Sequence, residues 1–142
     1  MSRPERGLPT LLEVRWIVDG MNVIGARPDG WWRDRHAAMV RLVQELERFS
    51  LARAEEVAVV FEGPPAQPIA SAVVEVGNAP TRGRDSGDAE IVRRVAADAH
   101  PADLRVVSSD RRLAAQVRAA GATSESAGSF RRRLDDLPAP IG

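Results

Sequence analysis

The chain has no cysteine and no lysine among its 142 residues, and its formal charge sums to zero. Without cysteine there are no disulfide scaffolds, thiolate zinc sites, iron–sulfur clusters or thiol nucleophiles. Without lysine there is no Walker A lysine and no Schiff-base chemistry, and the phosphate-binding lysine of aspartate-based phosphotransfer folds is also missing. All twenty cations, matched by twenty acids, are arginine. A balanced charge argues against a generally basic nucleic-acid-binding surface, so any such binding must be local. No stretch approaches the roughly 20 apolar residues of a membrane span. Arg3 and Arg6 have no apolar run behind them, unlike a secretory signal. A soluble cytoplasmic protein is the expectation. Internal repeats and low-complexity tracts are absent from the sequence.

What is present reads as one domain with a real core, since 44% of the residues are hydrophobic. Val14 to Asp19 is a short β-favouring run closed by Gly20. Trp31 to Ala54 carries Met39, Leu42, Val43, Leu46 and Phe49 at helical spacing. Glu56 to Phe61 is nearly all apolar, as in a strand buried on both faces. The proline-rich stretch from Gly63 to Pro68 must be a loop. Ser71 to Val76 is a third candidate strand, and Asn78 to Gly87 a polar loop. A helical stripe of Ile91, Val92, Val95, Ala96 and Ala99 runs from Asp88 until Pro101 stops it. Leu104 to Ser108 is a fourth strand, Asp110 opens a helix ended by Gly121, and Ala122 to Glu125 suits an edge strand. Phe130, Leu134 and Leu137 mark a last helix, capped by Ser126 or Ser129. The expected division is an N-terminal extension over 1–13, a domain over 14–137 and a tail over 138–142.

Strands alternating with helices imply an α/β domain: a mostly parallel central sheet, right-handed crossovers and helices on both faces. Such sheets bind ligands outside the carboxyl ends of their strands, where strand order reverses. Asp19 follows the first strand and Asp110 the fourth. Each acid also has an ordinary structural explanation. Asp110 can cap its helix. Asp85 can cap the preceding one, and Asp88 can favour its dipole. Asp34 suits a solvated helix face. Asp19 is harder to explain as a turn former, and Asn22 adds a second polar group to its loop. Neighbouring strands lie about 4.8 Å apart, so acids at their ends crowd together. Two carboxylates about 4 Å apart repel by roughly 4 kcal/mol at an effective dielectric of about 20. They persist by raising a pKa, recruiting arginine or binding a divalent cation. With oxygen ligands and no thiolate, that cation would be hard, Mg²⁺ or Mn²⁺, and beside a phosphodiester it would support hydrolysis.

Four short motifs now carry a family resemblance. Asp19-Gly20-Met21-Asn22 resembles the DG-aromatic-N signature that opens NYN domains, the nuclease branch of the PIN-like superfamily that includes the YacP-like proteins. Val60-Phe61-Glu62-Gly63 resembles the family's VFDG strand ending, and Gly87-Asp88-Ala89-Glu90-Ile91 its acidic helix start. Val107-Ser108-Ser109-Asp110-Arg111 resembles its V-[ST]-S-D ending. The four stand in family order between Val14 and Leu137. The resemblance implies a PIN-like three-layer fold and a metal-dependent endoribonuclease. It places Asp19, Asp88 and Asp110 on Mg²⁺ or Mn²⁺, with Asn22 positioning the first loop. Glu62, Asp85 and Ser108 are candidate supporting groups around the metal. Two positions depart from the pattern: Met21 stands for the usual tyrosine, and Glu62, longer by one methylene, for aspartate.

Arg82 and Arg84, just before Asp88, and Arg111 and Arg112, just after Asp110, are candidate RNA contacts, because arginine forks match phosphate oxygens. The run Arg131 to Arg133 suits a solvated helix face. Trp31 and Trp32 offer a stacking surface or core packing. His36 and His100 have no zinc-site spacing, and there is no nucleophile elbow for Ser/His/Asp catalysis. RNA is the expected partner, with presentation by the ribosome left open. The competing reading is a non-catalytic RNA- or ribosome-binding module of the same fold. An aspartate phosphatase or receiver-like protein is weakened by the missing lysine and by DGMN where Asp-x-Asp is needed.

Overall fold

The computed structural model describes residues 14–83 and 85–138. Arg84, the N-terminal extension and most of the C-terminal tail therefore lie outside the described residues. The elements are β1 (Arg15–Asp19), α1 (Gly20–Gly25), α2 (Arg35–Arg53), β2 (Glu56–Phe61), β3 (Glu75–Asn78), α3 (Ser86–Ala97), β4 (Leu104–Val107), α4 (Arg111–Ala119), β5 (Thr123–Glu125) and α5 (Ala127–Asp135). Single 3₁₀ turns occupy Trp31–Arg33 and Pro101–Asp103. Among the described residues no helix is long and apolar enough to cross a membrane.

All strand pairs are parallel, in the order β3-β2-β1-β4-β5. Alternation along each strand feeds two cores. Trp16 and Val18 of β1, Val57, Val59 and Phe61 of β2, and Val107 of β4 pack with α1, α2 and α5. Ile17, Val60, Leu104 and Val106 point the other way, onto Ile91 and Val95 of α3 and Leu113 and Val117 of α4. The first core is anchored by Trp16, Phe49 and Phe130, whose ring centroids lie 5.0 to 5.4 Å apart in tilted or edge-on pairs. This is the three-layer α/β sandwich that the alternation of elements predicts.

Several boundaries differ from the sequence expectation: α2 starts at Arg35, capped by Asp34 after the 3₁₀ turn at Trp31–Arg33, and α5 ends at Asp135, short of Leu137. The segment after Asp19 is a helix rather than a loop. It starts at Gly20 because a Cβ there would lie 2.5 Å from the buried Phe61 ring. Only glycine lets the chain turn so tightly on β2, and Met21, Val23 and Ile24 then bury. The third strand begins at Glu75 and not at Ser71, because the Ser71 hydroxyl accepts the Val73 and Val74 amides in a turn. Helix α3 starts at Ser86 and ends at Ala97, leaving Ala99 outside. Asp98 diverts the chain there by taking the Arg15 guanidinium and the His100 amide. The last helix is capped by Ser126, whose hydroxyl accepts the Ser129 amide.

Candidate active site

Strand order reverses between β1 and β4, and the β1–β4 register sets Val18 beside Val107. The next residues, Asp19 and Ser108, therefore meet side by side at the carboxyl edge. Asp19 is only 7% exposed, and the Ser108 hydroxyl donates to its Oδ2 at 2.8 Å. The same hydroxyl accepts the Asp110 amide at 3.1 Å. The Asp110 Oδ1 accepts the Leu113 amide at 3.0 Å, so this acid does cap α4, as its position suggested. Asn22, on the first turn of α1, accepts the Ser109 amide at 2.8 Å. Ser109 in turn accepts the Ala127 amide at 2.9 Å. The Asp-Gly-Met-Asn turn and the Ser-Ser-Asp turn are thus stitched into one rigid edge.

Asp88 reaches this edge from α3. Gly87, just before it, is buried beside Glu62, beyond the end of β2; a Cβ there would make an ordinary 3.6 Å contact with Cγ of Glu62. Burial pushes the Asp19 carboxyl up to about 6, and the charges of Glu62 and Asp110 push the same way. The Ser108 hydroxyl and the Asn22 amide act against them. Asp88 is also pushed up to about 6, first by desolvation, then by the charges of Asp19, Asp110 and Asp85 and a hydrogen bond with Asp110. Asp19, Asp88 and Asp110 therefore feel one another. Among the described residues no three acidic or histidine side chains form a ready-made metal cage. The donor chemistry nevertheless suits a hard divalent cation: oxygen atoms only, held rigidly, with two carboxyls whose ionised forms lack a counter-charge.

The other candidates are distributed around this edge. Glu62 is exposed and stands 4.0 Å from Arg35, while its charge still acts on Asp19. Asp85 occupies the cap position of α3 without a side-chain cap bond. With Asp88 and Arg112 it lines a cleft of about 410 Å³. Arg111 and Arg112 are exposed in the first turn of α4, where the helix dipole disfavours cations. Their placement therefore does not serve the helix. Arg82 is exposed in the loop before α3. Arg131 and Arg133 instead hold Glu45 and Glu125 and are structural. Trp31 packs against the first core, whereas Trp32 is 57% exposed. Asp34 caps α2 through the Ala37 amide.

Reasoning from sequence missed Arg35, His36, Gln67 and Asn78, which line a groove of about 440 Å³ beside Glu62. The one available signal was the proline-rich loop at the carboxyl end of a strand. A larger cleft of about 510 Å³ lies at the opposite edge, among Arg15, Glu56 and Asp98 at the starts of the strands and the end of α3.

The model of the YacP-like NYN domain matches residues 16–141. The chain belongs to the YacP-like NYN domain family. Two solved structures share its fold. Rae1 (YacP) from Bacillus subtilis, as the W164L mutant, superposes with a TM-score of 0.72 at 24% identity, over 87% of this chain and 76% of that one. Rae1 (YacP) without that mutation gives a TM-score of 0.70 at 22% identity, over 87% and 74%. No curated protein matches the sequence. As an NYN domain, the chain carries a PIN-like nuclease fold, and the four sequence motifs sit on its carboxyl edge.

Proposed function

We propose that this NYN domain, spanning 14–137, is a divalent-metal-dependent endoribonuclease that hydrolyses RNA phosphodiester bonds in the cytoplasm. The observation that carries the proposal is the Asp19–Ser108–Asp110 constellation at the β1/β4 reversal, with Asp88 coupled to it from α3. In this reading Asp19, Asp88 and Asp110 hold Mg²⁺ or Mn²⁺. Such an ion lowers the pKa of an attacking water and stabilises charge on the phosphate. Ser108 fixes the Asp19 carboxylate through its hydroxyl and ties it to the Asp110 backbone. Asn22 keeps the Ser109 peptide in place, and with it the turn that carries Asp110. Glu62 and Asp85 shape the surrounding negative field that favours a cation. Arg111 and Arg112, which follow Asp110, and Arg82 and Arg84, which precede Asp88 in the sequence, are assigned to the RNA phosphates as charge-assisted forks.

Asp110→Asn is the discriminating variant. Asparagine caps a helix as well as aspartate does, so the fold survives while a metal-ligating charge is lost. RNA cleavage should be stimulated by Mn²⁺, suppressed by EDTA and lost in Asp110→Asn. Cleavage at the parent rate by a folded Asp110→Asn protein would refute the assignment. The exposed Glu62, drawn toward Arg35, favours one second reading: a module that holds RNA, free or on a ribosome, without cutting it. Retention of RNA by the parent protein without turnover in Mn²⁺ or Mg²⁺ would establish that alternative.

A further inference from the structure

The groove lined by Glu62 includes none of Asp19, Asp88 and Asp110, yet it opens on the same edge. Its walls come from three segments: the first turns of α2, the loop after β2, and the end of β3 with the loop beyond it. At about 440 Å³ it falls within the roughly 300–1,000 Å³ of small-ligand clefts. The wall after β2 is stiff. Pro64 and Pro65 follow Gly63, which sits at φ +68 with its carbonyl held by the Asn78 side-chain amide at 3.1 Å. A pre-formed wall of this kind lowers the ordering cost of binding.

The lining has the two chemistries a nucleotide requires. Arg35 and Arg82 bring exposed guanidinium groups against the single carboxylate of Glu62, a net positive rim suited to phosphate. His36, Gln67 and the remaining amide capacity of Asn78 supply mixed donors and acceptors. Those groups can read a base edge only if the edge is not already paired. Glu62 lines this groove, and its Cγ lies 3.6 Å from where a Cβ on Gly87, the neighbour of Asp88, would stand. A nucleotide in the groove would therefore adjoin the acids.

We propose that this groove is a subsite for one unpaired RNA nucleotide adjacent to the scissile phosphate, with Arg35 and Arg82 on the phosphate and His36 and Gln67 reading the base. The proposal rests on the nuclease reading, and its test separates the two. Short single-stranded RNAs, each carrying one photoreactive thiouridine, are crosslinked to the full chain bearing Asp19→Asn, and the attachment sites are mapped by mass spectrometry. The same RNAs unmodified are incubated with the parent protein in Mn²⁺. The expected result is crosslinking to the segment 63–67 or to Arg82 from one fixed position relative to the cut. Gln67→Ala and His36→Ala should each weaken base preference at that position by about 10-fold, the scale of one good base-edge contact. Both residues lie off the core, so these variants should fold. Crosslinks mapping only elsewhere, or a base preference unchanged in both variants, would overturn the subsite even if the parent cuts RNA. Groove crosslinks with no cutting by the parent would overturn the nuclease reading and leave the nucleotide site standing.

Discussion

Replacing Asp19 by asparagine should stabilise the metal-free protein while abolishing cleavage. The Asp19 carboxyl is raised from 3.8 to about 6, chiefly by burial, so the native state keeps its proton over a range where the unfolded chain has lost it. Stability therefore falls as pH rises from about 4 through about 6. The loss is complete above that window and amounts to about 3 kcal/mol from a gap of roughly two pH units. Asparagine matches the carboxyl in size, and its carbonyl can accept the Ser108 hydroxyl, so the burial penalty disappears without a cavity. The expected gain is about 3 kcal/mol near pH 8 and about 1 kcal/mol near pH 4.5, where most of the parent's Asp19 is already neutral in the fold. Urea unfolding of both proteins in EDTA, at the two pH values, measures it. A variant no more stable than the parent near pH 8, or a gain equal at both pH values, would refute the assignment of a buried, uncompensated carboxylate. Stability and activity moving in opposite directions is the behaviour expected of a strained functional site.

Gly20→Ala should lower the melting temperature despite alanine's better helix propensity. Its Cβ would lie 2.5 Å from the buried Phe61 ring, and overpacking of this kind costs about 1–3 kcal/mol. Ser108→Ala removes a hydroxyl that holds the Asp19 pKa down. The acidic limb of the kcat/KM pH profile should therefore move to higher pH, and an unmoved limb would separate Asp19 ionisation from the reaction. Asp98 is held down to about 2, first by its hydrogen bonds to Arg15. That stability is present above the usual carboxylate range and is lost as pH falls toward about 2. Asp98→Asn should cost about 1 kcal/mol at neutral pH, as a partly exposed pair does, and should flatten the acid limb of the stability curve.

Legibility in the sequence followed burial and helix-start chemistry. Glu56–Phe61 is read residue for residue because its apolar run is buried on both faces. Asp19 and Asp110 are placed correctly because one ends a core strand and the other caps a helix. Helix α1 was hidden because six residues are too few to display a helical period, and its start depends on the Phe61 ring, forty-one positions away. Strand β3 is a half-exposed edge whose start is set by a serine turn, and neither feature leaves an apolar signature. Charge pairing was equally illegible. Glu90 is buried between Arg93 and Arg94, and Arg131 reaches Glu45 on another helix. The groove beside Glu62 draws its lining from three separate segments, so only the fold assembles it. The zero net charge likewise averages an acidic edge with the arginines around it.

The central claim is that Asp19, Asp88 and Asp110 act together on a divalent cation to cut RNA. Its most direct test is cleavage of single-stranded RNA by purified protein across a Mn²⁺ titration, with Asp88→Asn assayed in parallel. Saturable Mn²⁺-dependent cleavage by the parent and none by a folded Asp88→Asn protein is the predicted result. Cleavage that persists in EDTA, or that Asp88→Asn leaves intact, would contradict it.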